Sequence, residues 1–282
     1  MWYLADIETR AKKAGVRNGH RPYFFYVNQT MKRKRKTIIA GNLVKIVEYT
    51  PQYPKDCARA RGVKKQATRA AQRALNFRTA QGRLEEKLAA NFTEKDYFAT
   101  FTFEDSALPE SRAAAKKIQQ QYIRRLRTAR ARRDLPTPKW IFSIESKHER
   151  GRYHLHAVID STGSKRDFEE IISLWPHGGV ELRRLFAGRY RWDTWLDVAR
   201  YMTKERAEFE KDKTPVGAQV YACSRNLRKP VVLTEWITPD SRPEIPPDSV
   251  ILEREEKETE FCLYRYVKYQ TAARVRGLGL EQ

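Results

Sequence analysis

Between Trp140 and Asp160, apolar and β-branched residues collect in two short runs, Ile141-Phe-Ser-Ile-Glu145 and Tyr153-His-Leu-His-Ala-Val-Ile159, separated by the polar segment Ser146 to Arg152. Runs of this length around a glycine-containing loop predict two antiparallel strands. Side chains alternate along a strand, so His154 and His156 share one face while Leu155 points from the other into a core. If the hairpin closes around Lys147 to Gly151, Glu145 falls roughly opposite His154.

The same patterning extends on both sides. Phe98-Ala-Thr-Phe-Thr-Phe103 predicts a strand, bounded by Asp96 and by Glu104-Asp105-Ser106. Pro109 to Asp134 predicts a helix with Ala115, Ile118, Tyr122, Leu126 and Ala129 on one stripe and Ser111 as its cap; Pro136 and Pro138 end it. Asp167 to Glu170 has capping-box spacing ahead of Phe168, Ile171, Ile172 and Trp175, and Gly178-Gly179 leads into a strand at Val180 to Leu185. Asp193 to Glu205 is a further helix, with Trp195, Val198, Ala199 and Met202 for the core. Strand, helix, two strands, helix, strand is an α+β order, a sheet covered by helices.

Towards the amino end, Thr37 to Tyr49 predicts a hairpin turning at Gly41-Asn42, and the preceding Lys32 to Lys36 is either a phosphate-contacting arm or a solvated charge run. Lys64 to Lys87 predicts a basic helix that Gly82 can interrupt, suited either to lie along a DNA backbone or to pack as a solvated helix. After Pro230, Val231 to Ile237 predicts a strand, Ser241 to Pro247 a proline-rich connector, and Glu253 to Arg276 a charged helix. The expected division is therefore 1–90 (N-terminal hairpin and basic helical region), 91–238 (the central unit) and 239–282 (connector and C-terminal helix).

Composition adds a partner. Lys and Arg total 56 against 35 Asp and Glu, a net charge of +21, which points to a polyanion, nucleic acid first. Fourteen Tyr and six Trp supply stacking surfaces as well as core. Cys57, Cys223 and Cys262 stand far apart in no zinc-type spacing, and Met1 to His20 holds no apolar stretch of signal length, so a cytoplasmic protein with no membrane partner is expected.

Two imidazoles and a carboxylate converging on one point suit Mg2+ or Mn2+ better than a sulfur-rich zinc site. Taken alone, His154 and His156 are equally two ordinary surface histidines. What changes their weight is the helix that follows. At 100° per residue, Asp197, Tyr201 and Lys204 fall on one side of it, bringing out a phenol and an ammonium together. A phenol of pKa near 10 is a weak nucleophile, and both a cation on the scissile phosphate and a nearby ammonium help it attack a phosphodiester.

In this order, Phe98-Ala-Thr-Phe-Thr-Phe, His154-Leu-His156 and Tyr201-Met-Thr-Lys204 resemble the three motifs of the HUH endonucleases, in particular the single-tyrosine rolling-circle replication initiators of phages and plasmids. Glu145 matches the position of that family's carboxylate ligand, and Tyr221 to Pro230 is similar to a segment after the tyrosine helix in phage-type initiators. The resemblance implies a central antiparallel sheet flanked by helices, an RRM-like palm, with Glu145, His154 and His156 as metal ligands for Mg2+ or Mn2+. It implies Tyr201 and Lys204 as catalytic residues in site-specific nicking of single-stranded or hairpin origin DNA, through a 5′-phosphotyrosine and a free 3′-hydroxyl. Arg124, Arg125, Arg152, Arg225, Arg228 and Lys229 are the candidate DNA contacts. The absence of a Walker A loop leaves unwinding to a host helicase, alongside a host polymerase, in a bacterial cytoplasm. Alternatives are an HUH transposase or mobilisation relaxase, a non-catalytic basic nucleic-acid-binding protein, and a metal-dependent hydrolase using water.

Overall fold

The computed structural model of the chain describes residues 33–51, 70–147, 152–186, 194–209, 221–238, 240–258 and 263–271. Their elements run β1 (Arg33–Ala40), β2 (Leu43–Tyr49), α1 (Ala70–Asn91), β3 (Tyr97–Thr102), α2 (Arg112–Arg132), β4 (Trp140–Lys147) and β5 (Arg152–Ile159). There follow α3 (Asp167–Ser173), β6 (Val180–Arg184), α4 (Trp195–Phe209), β7 (Ala222–Cys223), β8 (Val231–Ile237), β9 (Val250–Glu258) and β10 (Leu263–Gln270). They form two compact units, one from Lys65–Lys229 and one from the two ends, Met1–Lys64 with Pro230–Gln282.

The Lys65–Lys229 unit is α+β, an antiparallel five-stranded sheet in the order β6-β3-β5-β4-β7. Period-two patterning divides its faces. Tyr97, Ala99, Phe101, Phe142, Leu155, Ala157 and Ile159 lie on one face and form a core with Tyr122, Ile123 and Leu126 of α2 and with Trp175 after α3. Phe101 sits at its centre, edge-on to Tyr122 at 4.7 Å and 5.0 Å from Trp175. Phe98, Thr100, His156, Val158, Ser143 and Glu145 have the opposite parity, and α4 packs on that face against β4 and against α1.

Helix α2 begins where the sequence indicates, Ser111 accepting from the Ala114 amide at 3.2 Å, a cap of about 1 kcal/mol. Its last turn buries Arg130, whose guanidinium meets Asp160 at 2.6 Å and so ties the helix end to the end of β5. The expected capping box at α3 does not form. Asp167 is already the first helical residue, and its carboxylate instead turns back to accept from Thr162 N at 2.7 Å and Ser161 Oγ at 3.0 Å, closing the loop after β5.

In the other unit the expected C-terminal helix is replaced by a hairpin: the described part of Glu253–Arg276 is β9 and β10, in a sheet ordered β8-β1-β2-β10-β9. The Glu- and Lys-rich run of β9 has helix propensity, but pairing with the Tyr- and Val-rich β10 overrides it. Arg33 to Lys36 is neither arm nor solvated run. It is part of β1, with Arg33 buried and Arg35 donating to Glu48 at 2.8 Å; Lys32 lies outside the described residues. Likewise α1 passes Gly82 without a break and packs with α4, while its expected start at Lys64 lies outside the described residues. The units therefore divide near Lys65 and Pro230, where the expected boundaries were 90 and 238, because β8 pairs with β1.

Gly178 shows how closely the loop before β6 is held. At φ 146°, a Cβ here would stand 2.6 Å from the Thr102 carbonyl oxygen and 2.7 Å from the Glu104 nitrogen, both backbone atoms. Gly178→Ala is expected to lower stability by about 1–3 kcal/mol, read as a lower urea midpoint at unchanged slope. An unchanged midpoint contradicts the close approach.

Candidate active site

The hairpin sets the site. Register opposes Glu145 to His154 and Ser143 to His156, all four on the face under α4. The Glu145 side chain crosses the diagonal, so its carboxylate meets Nε2 of His156 in direct contact. On the other side of the ring, Nδ1 of His156 lies 3.2 Å from the hydroxyl of Thr100, its cross-strand neighbour on β3. The imidazole is thus gripped at both nitrogens by two different strands.

Helix α4 completes the cluster from above. Lys204 Nζ lies 3.4 Å from the other carboxylate oxygen of Glu145 and 4.1 Å over the ring of Tyr201. The Tyr201 ring stands edge-on to His156 at 5.1 Å and to Phe98 at 5.7 Å, while Phe98 stacks on His156 at 5.9 Å. Tyr201 and Lys204 are half-buried; Glu145 and His156 are buried. Half-exposure of the phenol leaves it reachable from solvent.

The structure therefore brings together Glu145, His156, Tyr201 and Lys204. His154 lies two residues from His156 on the same face, between Glu145 and Thr102, and is half-buried. Asp197 does not orient Lys204. Its carboxylate accepts from the amide and hydroxyl of Thr194 at 3.0 and 2.8 Å, capping α4. Arg124 and Arg125 are exposed on α2, so the sheet stands between them and His156; Arg125 donates to the Leu174 carbonyl at 3.4 Å. Arg152 begins β5 on the histidine face and pairs with Asp105. Arg225, Arg228 and Lys229 are exposed after β7, beside the start of β4, roughly 17 Å along that strand from Glu145.

Thr100 and Phe98 were not singled out by sequence. The parity of β3 carried their signal, since both share the His156 face, but only the β3–β5 register puts Thr100 opposite that ring. Arg183 of β6, 5.1 Å over the far side of Phe98, is a further member of the layer under Tyr201.

Residues 96–206 match the family model of the replication-associated protein ORF2 type. The matched segment runs from the start of β3 through most of α4, and it contains Glu145, His154, His156, Tyr201 and Lys204. It links this unit to DNA and to the initiation of replication. Arg225, Arg228 and Lys229 fall outside it. Neither the curated proteins nor the solved structures yield a match to the chain. Among the described residues, no helix is long and apolar enough to cross a membrane.

The donor chemistry fits a hard divalent cation. An imidazole nitrogen and a carboxylate face each other, and the second imidazole nitrogen is held by a hydroxyl, the way a ligating histidine is oriented. In the arrangement observed, with Glu145 drawn onto His156, the described residues contain no group of three His, Cys, Asp or Glu side chains set to hold an ion.

Burial pushes the Glu145 carboxyl upward, but the contacts with His156 and the Lys204 ammonium outweigh it and hold the group at about 2. A depressed carboxyl contributes stability that is complete above its ordinary value near 4.5 and is lost as pH falls towards about 2. Urea unfolding without divalent ions is expected to show wild type more stable than Glu145→Gln at neutral pH, with the gap closing below the ordinary value. A gap that persists unchanged in acid contradicts the ion-pair account of this carboxylate.

Proposed function

We propose that the Lys65–Lys229 unit is a metal-dependent nicking and joining enzyme that initiates rolling-circle replication, with Tyr201 as nucleophile. The observation that carries this reading is the Tyr201 phenol and Lys204 ammonium standing over the Glu145–His156 pair. The family match supports replication over transposition or mobilisation.

Tyr201 Oη bonds to the phosphorus of a phosphodiester in single-stranded origin DNA, and the bond from phosphorus to the 3′-oxygen breaks. The phenol proton passes to solvent and the leaving 3′-oxygen takes one up. One phosphodiester has been exchanged for another, so the 5′-phosphotyrosine keeps the energy needed for rejoining. Lys204 stabilises the developing phenolate and the negative charge on the phosphate. Phe98 and His156 limit the tilt of the Tyr201 ring by their edge contacts. Glu145 and His156, with His154 beside them, would hold Mg2+ or Mn2+, which when bound polarises the scissile phosphate. The freed 3′-hydroxyl primes a separate polymerase, and unwinding falls to a separate helicase, in the bacterial cytoplasm.

Incubation with labelled single-stranded oligonucleotides from the neighbouring replicon and Mn2+ is expected to give a protein–DNA adduct on a denaturing gel. Tyr201→Phe is expected to bind the same DNA and form no adduct, and Lys204→Ala to slow adduct formation about 10²–10³-fold. Cleavage that survives Tyr201→Phe assigns the reaction to a bound water instead. DNA behaviour unchanged in every variant leaves a non-catalytic binding protein.

A further inference from the structure

We propose that the sheet formed by the two ends of the chain carries a second DNA-binding surface, a stacking platform for a single strand, separate from the Tyr201 site. Strand register makes the case. One row of directly opposed residues crosses all five strands and reads Trp236, Lys34, Tyr49, Tyr264, Lys257. The next row reads Thr234, Lys36, Val47, Tyr266, Glu255. Opposed residues share a face, so three tyrosines, a tryptophan and three lysines occupy one side of the sheet. At the usual strand spacing the first row is roughly 19 Å long, room for several stacked bases.

The opposite side is differently built. There Arg35, Glu48, Arg265 and Glu256 form an ion-pair chain, Arg35 and Arg265 also donate to Ser241 and the neighbouring carbonyls of the connector, and Ile245 covers Val44, Ile46, Val267 and Tyr269. That side is the core of the unit. The aromatic side is open: Trp236 is 51% exposed, Lys257 is exposed, and Lys34, Lys36, Tyr49, Tyr264 and Tyr266 are half-buried. Lys34 already lies 4.5 Å over the Trp236 ring. Its acids are confined to β9, where Glu255 pairs with Lys257 and Glu253 with Lys268 at 3.2 Å. Lys45 and Lys268 of the third row are buried, so the platform is limited to the first two rows.

Rings interleaved with ammonium groups are what an unpaired strand requires, bases stacking on the rings while lysines neutralise phosphates. Duplex DNA offers no free base faces to such a row. The surface lies outside residues 96–206, in the other unit, and the choice of DNA over RNA rests on the proposed replication role. A platform of this kind would retain the displaced or template strand while the Tyr201 site acts.

The test uses the full chain carrying Tyr201→Phe, without divalent ions, and fluorescence anisotropy with a mixed-sequence single strand and its duplex. Trp236→Leu, Tyr49→Leu and Tyr264→Leu are each expected to weaken single-strand binding about 5- to 100-fold with duplex binding unchanged, while Tyr264→Phe binds as the parent. Lys34→Gln is expected to lower the slope of log affinity against log salt by about 0.7. Trp236, being exposed on an edge strand, gives a variant that folds even if the tyrosine variants do not; thermal melting checks each. Unchanged single-strand affinity in folded variants, or equal losses on duplex, overturns the proposal. Tighter binding of the ribo-oligonucleotide of the same sequence overturns the assignment to DNA. Because binding is read in a chain that cannot form the adduct, failure here is distinct from failure of the Tyr201 chemistry.

Discussion

The carboxylate of Glu145 reaches diagonally across one hairpin to Nε2 of His156 and upward to Lys204, so a single side chain links two strands and a helix. The contact constrains everything around it. With Thr100 on Nδ1, His156 is held at both ring nitrogens, and the fixed ring gives Tyr201 an edge to rest against. Lys204 then closes the group over the phenol. Remove the carboxylate and a buried imidazole and a half-buried ammonium lose the anion they share, an uncompensated arrangement of the kind that costs several kcal/mol when fully buried.

The sheet beneath explains why the cluster is precise. One face is sealed by Phe101, Tyr122 and Trp175 in mutual ring contact, leaving the other free to carry polar groups under α4. Arg130 on Asp160 and Asp167 on Thr162 secure the two ends of the loop after β5, so the hairpin is anchored at its far end as well. The backbone approach at Gly178 fixes β6 beside β3, on the flank of Phe98 and Thr100. Each constraint acts on a strand that contributes a residue to the cluster or on its immediate neighbour.

Much of this was legible in the chain. Period-two runs located β3, β4, β5 and β6, helical spacing located α2 and α4, and alternation alone put His154 and His156 on one face. The direct partner of Glu145 was not legible, because register names His154 while side-chain length selects His156. Nor was the burial of Arg130 within an arginine-rich turn, since its partner Asp160 is distant in sequence. The C-terminal hairpin escaped for a related reason. The glutamates and lysines of β9 favour a helix locally, and only the long-range partner β10 makes them a strand. The same long-range pairing, β8 with β1, moved both expected unit boundaries.

The most direct measurement is mass spectrometry of a tryptic digest after reaction with single-stranded origin DNA and nuclease trimming. Trypsin releases Tyr201-Met-Thr-Lys204 as a four-residue peptide between Arg200 and Glu205. A nucleoside phosphate attached to that peptide through its tyrosine is the predicted result. An adduct on another tyrosine, or cleaved DNA with no modified peptide, contradicts the assignment of Tyr201 as the nucleophile.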